Sequence, residues 1–182
     1  MQKHDLILEE VSGLYGIIRL KVLRRTPGVF FDIVPREALP RIDALDRVIH
    51  ERGAVSPGLV GHVPRPWYMH PHQADNLVVL HGTRYVDLYT AEHGKVESFT
   101  VGPHQINKGD ELVFDGAAML VWPRGVFHRV RSCPKEGSAS LNLAVHYEGF
   151  DIRTNFNVYD LDLQTGRYEV IREGHLDQPG GE

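Results

Sequence analysis

Two histidines one residue apart, His70 and His72, stand in the stretch WYMHPHQADNLVVLHG, residues 67–82, ahead of a run that reads as a buried strand. Side chains alternate across a strand, so residues at i and i+2 share a face, and Pro71 between the pair discourages a helix. Two imidazoles on one face form a two-toothed clamp for a metal ion. A third histidine, His128, lies in WPRGVFHRV, residues 122–130, where Pro123, Arg124 and Gly125 make a tight turn before a strand.

The elements that must position these groups are mostly strands. GLYGIIRLKVL (13–23) and GVFFDIVP (28–35) are rich in β-branched and aromatic residues and bounded by Gly and Pro. One helix is expected, LPRIDALDRVIHERG over 39–53. Ile42, Leu45, Val48 and Ile49 fall at helical spacing, Pro40 suits the first turn, Gly53 suits the stop, and His50 is expected to face solvent in the last turn. Short strands with turns such as EHG, NKGD and QTG between them fill the rest, and the last two read as a hairpin around Gln164, Thr165 and Gly166. This pattern predicts an all-β antiparallel sandwich or barrel with one short N-terminal helix. No linker or repeat divides the chain. Residues 1–54 are expected to pack as N-terminal strands and helix on a barrel formed by 55–175, as a single structural domain.

HPHQADNLVVLHG followed by PRGVFH resembles the two motifs of the cupin superfamily. His70, His72, Gly82, Pro123, Gly125 and His128 match, and the resemblance covers about residues 55–150. It implies a jelly-roll barrel whose mouth holds one divalent transition metal on His70, His72 and His128. Iron, manganese, nickel and zinc all suit such a site. Asn76 stands where the family's metal-binding Glu is expected, so a neutral amide replaces a charged ligand. The implied function is a metal-dependent enzyme of oxygenase or isomerase type acting on a small polar or anionic molecule. Two alternatives stand beside it. The segment from Gln73 onward also faintly resembles the deoxysugar 3,5-epimerase branch of the superfamily, in which a histidine removes a proton beside a ketone without a metal. A non-catalytic barrel that binds a small ligand is the other.

Further polar residues are candidates for the same cavity. Trp67 and Tyr68 flank the first motif, with core packing expected for at least one. Asn142 and His146 share a face of SLNLAVHYEG and reach the interior if Leu141 and Leu143 pack outward. Asp75 is read as a turn residue, though a carboxylate there could join the site. Arg65, Arg84 and Arg129 are candidates for holding a carboxylate or phosphate.

Composition excludes several classes. A formal charge of −4 with scattered Lys and Arg gives no basic patch, so no nucleic-acid partner is expected. One cysteine, Cys133, leaves no intramolecular disulfide. Charged residues interrupt every long apolar run and the first residues lack a signal-peptide core, so no membrane span and a cytoplasmic location are expected. The long terminal strands 13–23 and 156–171 suggest pairing across a homodimer.

Overall fold

The computed structural model describes residues 5–39 and 41–179. In chain order the strands begin β1 (Ile7–Val11), β2 (Tyr15–Arg19), β3 (Lys21–Thr26), β4 (Val29–Ile33), β5 (Ala44–His50) and β6 (Val55–Ser56). They continue β7 (Trp67–Met69), β8 (Gln73–Gly82), β9 (Arg84–Tyr89), β10 (Glu97–Val101), β11 (Gln105–Lys108) and β12 (Glu111–Asp115). The last are β13 (Ala118–Trp122), β14 (Phe127–Ser132), β15 (Ser138–His146), β16 (Val158–Leu161) and β17 (Tyr168–Arg172), with one short helix, α1 (Ile152–Asn155).

Two antiparallel sheets face each other. One runs β1-β2-β13-β8-β15-β5; the other runs β12-β11-β10-β9-β14-β7-β16-β17, with β6 paired to β14, while β3 and β4 form a separate hairpin. Alternation along each strand divides inward from outward residues. Gln73, Asp75, Leu77 and Val79 of β8 turn inward, as do His128 and Val130 of β14. One half of the interior is filled by Leu77, Val79, Val86, Leu88, Phe99 and Ile106, all buried. The other half, beneath β5 and β15, stays hollow and is the cavity described below. The all-β jelly-roll expectation is met.

The helix expected over 39–53 is instead strand β5 from 44 to 50. Its apolar residues satisfy both a helical and an alternating reading, and the long-range term decides. Residues 44–50 pair with β15 from Ala44–Ala144 to His50–Ser138, closing a sheet edge that would otherwise be bare. Leu45 and Ile49 consequently stay exposed, at 62% and 51%. Asp46, Val48 and His50 turn into the cavity, so His50 is not the solvent-facing residue expected. Pro40, assigned to the first turn of that helix, lies outside the described residues.

Gly82, a motif residue, ends β8 with φ +66°, and a Cβ there would lie 2.1 Å from the carbonyl oxygen of Gly137. Only glycine permits both that backbone conformation and the close approach of β15.

Candidate functional site

The cavity measures about 270 Å³ and lies between β5, β8 and β15 on one side and β6, β7, β9 and β14 on the other. His70, Asp75 and His128 meet in its wall, each buried, with one ligating atom apiece and all three atoms within 4.8 Å of one another. The imidazole rings of His70 and His128 lie edge to face, 4.6 Å apart.

The tautomers follow from the partners. His70 Nδ1 lies 2.6 Å from the carbonyl oxygen of Asn155, and His128 Nδ1 lies 3.2 Å from that of Val126. A carbonyl only accepts, so each Nδ1 carries the proton and each Nε2 offers a lone pair when the ring is neutral. Burial, followed by the charge of neighbouring His70, pushes His128 down to about 4 and keeps it neutral. His70 Nε2 stands 3.5 Å from Asp75 Oδ2.

Asp75 is held from behind. Its Oδ1 accepts from Gln73 Nε2 at 2.7 Å and Asn142 Nδ2 at 2.6 Å. Burial opposes its charge, but His70, His128 and these two donors overcome that penalty and hold the carboxyl below its usual value. Its Oδ2 is buried without a hydrogen-bond partner among the described residues. Trp122 Nε1 and His50 Nδ1, also on cavity-lining residues, are likewise unpartnered. Buried polar atoms are normally paired, so one acceptor and two further ring nitrogens left open in one cavity describe a place made for a ligand.

Asn155 organises this end of the cavity. Its carbonyl accepts from His70 Nδ1–H, its Nδ2 donates to Gln73 Oε1 at 3.2 Å, and its Oδ1 accepts from the His72 backbone N–H at 3.4 Å. It sits at the end of α1, whose first turn is capped by Asp151 accepting from the Arg153 N–H. The next residue, Phe156, lies edge-on to His70 at 4.8 Å. Tyr68 comes within 5.9 Å of the His128 ring, and burial pushes its hydroxyl up against the opposing effect of Ser56, keeping it a donor.

The expected three-histidine face is not what the chain builds. Between β7 and β8 the chain crosses from one sheet to the other, so residues 70–72 are a bend rather than a strand. His70 stays with the cavity, while His72 turns away to pack by Gly149. Asn76 faces the opposite side of β8 from Asp75, its Nδ2 donating to the Leu143 carbonyl at 2.6 Å, and is no fourth ligand. His146 stacks on Phe150 at 3.6 Å, outside the cavity. Asn142 does line the cavity, bridging Asp75 and Asp46 at 2.6 and 3.1 Å. Tyr68 lines it too, whereas Trp67 packs with Tyr89 beneath the Arg129 guanidinium. Asp75, read as a turn residue, is the buried carboxylate of the site; its i+2 relation to Gln73 and Leu77 was the available signal. Asn155 was missed altogether, although Asp151 ahead of a short polar run is a helix-start signal.

Acid should loosen this half of the barrel. Burial, then the charge of Arg84, lowers the His50 pKa from 6.5 to about 4. The unfolded chain therefore binds a proton near pH 6.5 that the folded chain refuses until about pH 4. Stability is present in full above pH 6.5 and falls as the pH drops toward 4. Urea midpoints measured across this range should decline, and His50→Gln should reduce the slope; an equally steep slope in that variant would contradict the assignment.

No protein-family model matches the chain, and no curated protein does. Solved structures with the same fold do. The sugar 3,4-ketoisomerase QdtA from Thermoanaerobacterium thermosaccharolyticum, in complex with TDP, aligns with TM-score 0.54 and 13% identity over 78% of this chain and 85% of its own. NovW from Streptomyces spheroides, a 4-keto-6-deoxy sugar epimerase, aligns with TM-score 0.55 and 14% identity over 79% and 67%. The RmlC epimerase of Mycobacterium tuberculosis aligns with TM-score 0.54 and 12% identity over 77% and 67%. At such identity the likeness establishes the fold, an all-β jelly-roll barrel, and not the reaction.

Proposed function

We propose that the protein is an acid–base enzyme that moves a proton at a carbon beside a carbonyl, on a keto-sugar nucleotide of the kind its structural neighbours handle. The observation that carries this reading is the meeting of two Nδ1-anchored histidines and a buried carboxylate whose Oδ2 has no partner. Two imidazolium charges 4.6 Å apart repel, but Asp75 compensates one of them and so reduces the cost of the proton that His128 takes up in the reaction. His128, neutral, takes the proton at Nε2. The electron pair of the broken C–H bond moves to the carbonyl oxygen, where Trp122 Nε1–H or the Tyr68 hydroxyl donates to the enolate. Asp75 stabilises the positive charge that arrives, and the same proton returns by one of two routes. It passes from His128 to the adjacent carbon, the hydroxyl proton moving between the two oxygens, or, relayed to His70 Nε2 beside Asp75, to the opposite face of the first carbon.

A second reading is favoured by the same cluster. Nε2 of both histidines and Asp75 Oδ2 are all acceptors, and each histidine is oriented through Nδ1 by a backbone carbonyl, as metal-binding histidines are. These donors fit a divalent transition ion, which would supply polarisation of a substrate carbonyl. His72, part of the metal set that the resemblance implies, lies by Gly149 and outside this cluster.

Turnover decides between them. TDP-4-keto-6-deoxyglucose, named with a QdtA variant, is the substrate to try first. Protein dialysed against chelator and shown free of metal by elemental analysis should convert it, as followed by proton NMR. Conversion only after iron, manganese, nickel or zinc is restored would establish the second reading. No conversion in either state would overturn the substrate assignment.

A further inference from the structure

Arg84 opens β9 and points into the same cavity, with only 4% of its surface exposed. Its Nε donates to Ser138 Oγ at 3.1 Å and its Nη2 to the Val48 carbonyl at 3.1 Å. Both partners are neutral, and Nη1 has none among the described residues. The other two candidate arginines stand beside a carboxylate: Arg129 binds Asp87 at 2.9 Å, and Arg65 lies 4.0 Å from the same carboxylate, although its Nη1 has no hydrogen-bond partner among the described residues. Arg84 enters no ion pair among the described residues. A guanidinium out of water is normally matched by an anion, because desolvation without a counter-charge is costly. Here burial alone weakens its hold on the proton, lowering its pKa to about 10.

The surroundings complete an anion site. Ser138 Oγ accepts from Arg84 and keeps its own O–H free to donate. His50, paired with Ser138 across β5 and β15, lines the cavity with Nδ1 unpartnered among the described residues. We infer that Arg84, Ser138 and His50 bind an anionic group, a carboxylate or a phosphate, of the ligand whose other end meets His70 and His128. Arg84 lies opposite Ser132 on β14, four residues beyond His128, so about 13 Å of strand separates the two positions. A ligand filling both ends is therefore elongated, with its charge remote from the reacting carbon. The inference rests on the cavity being the ligand site, and gives that ligand its charge.

The test measures thermal stabilisation of the full chain by inorganic phosphate and, separately, by acetate, each against chloride at matched ionic strength. One of the two anions should raise the wild-type midpoint above the chloride control, which also tells phosphate from carboxylate. Arg84→Met should abolish the rise, and Arg84→Lys, which keeps the charge but loses the paired donors, should weaken the anion about tenfold. His128→Gln should keep the rise while losing proton transfer, so failure of the anion site and failure of the acid–base reading are separable. No rise with either anion in the wild type, or an undiminished rise in Arg84→Met or Arg84→Lys, would overturn the inference.

Discussion

His128→Gln should lower kcat/KM for the proposed substrate by about 10²–10⁴-fold while leaving the fold and ligand affinity nearly intact. The Gln amide is of similar length and polarity but takes up no proton at neutral pH. His70→Gln should fall in the same range for a different reason, since it removes the group that carries the second proton position beside Asp75. The two act as a unit, so the double variant should be scarcely worse than the more damaged single one. Steady-state kinetics on the three variants checks this. Losses that multiply in the double variant would mean that the histidines work independently, and a loss confined to KM would make them binding groups.

Asn142→Asp is expected to be the most destabilising conservative change in the site. The Nδ2 group of Asn142 gives both its hydrogens away, one to Asp75 and one to Asp46. Replacing that donor by an oxygen sets a third carboxylate against two others in the cavity wall. Breaking a fully buried charge arrangement costs about 3–5 kcal/mol, and the cost here should be smaller because Asn142 and Asp46 are half-buried. Asn142→Ala loses these two bonds and the one its Oδ1 accepts from the Asn76 N–H, but adds no charge, and should still cost less. Denaturant titration at neutral pH compares the pair; an Asp variant as stable as the Ala variant would contradict this account of the Asn142 bridge.

Much of this architecture was legible in the sequence. Short alternating strands, the Gly82 turn and the Pro123–Gly125 turn before His128 all led to the barrel and to one wall of its site. Two things were not. The segment around Leu45, Val48 and Ile49 carries a pattern compatible with helix or strand, and only the open edge of β15 settles it. That difference matters for chemistry, because the strand turns Asp46, Val48 and His50 into the cavity together. The other loss was at His70 and His72. Equal spacing implies a shared face only while the strand stays regular, and a change of sheet at Pro71 parts them. Asp75 then enters the site that His72 leaves. Asn76 was weighed as the ligand because it holds the motif position, yet the pleat of β8 sends it to the opposite face. Nor does local sequence reveal that Asn155, from a helix near the far end of the chain, fixes the His70 tautomer across 85 positions.

Hydron exchange is the most direct test of the central claim that His70, Asp75 and His128 move a proton at a carbon of the ligand. Metal-free protein would be incubated with the proposed substrate in D₂O and the recovered sugar analysed by mass spectrometry and NMR. The account predicts deuterium at one carbon next to the carbonyl, with incorporation lost in His128→Gln and retained in His72→Gln. Incorporation that survives His128→Gln, or that disappears in His72→Gln, would contradict it.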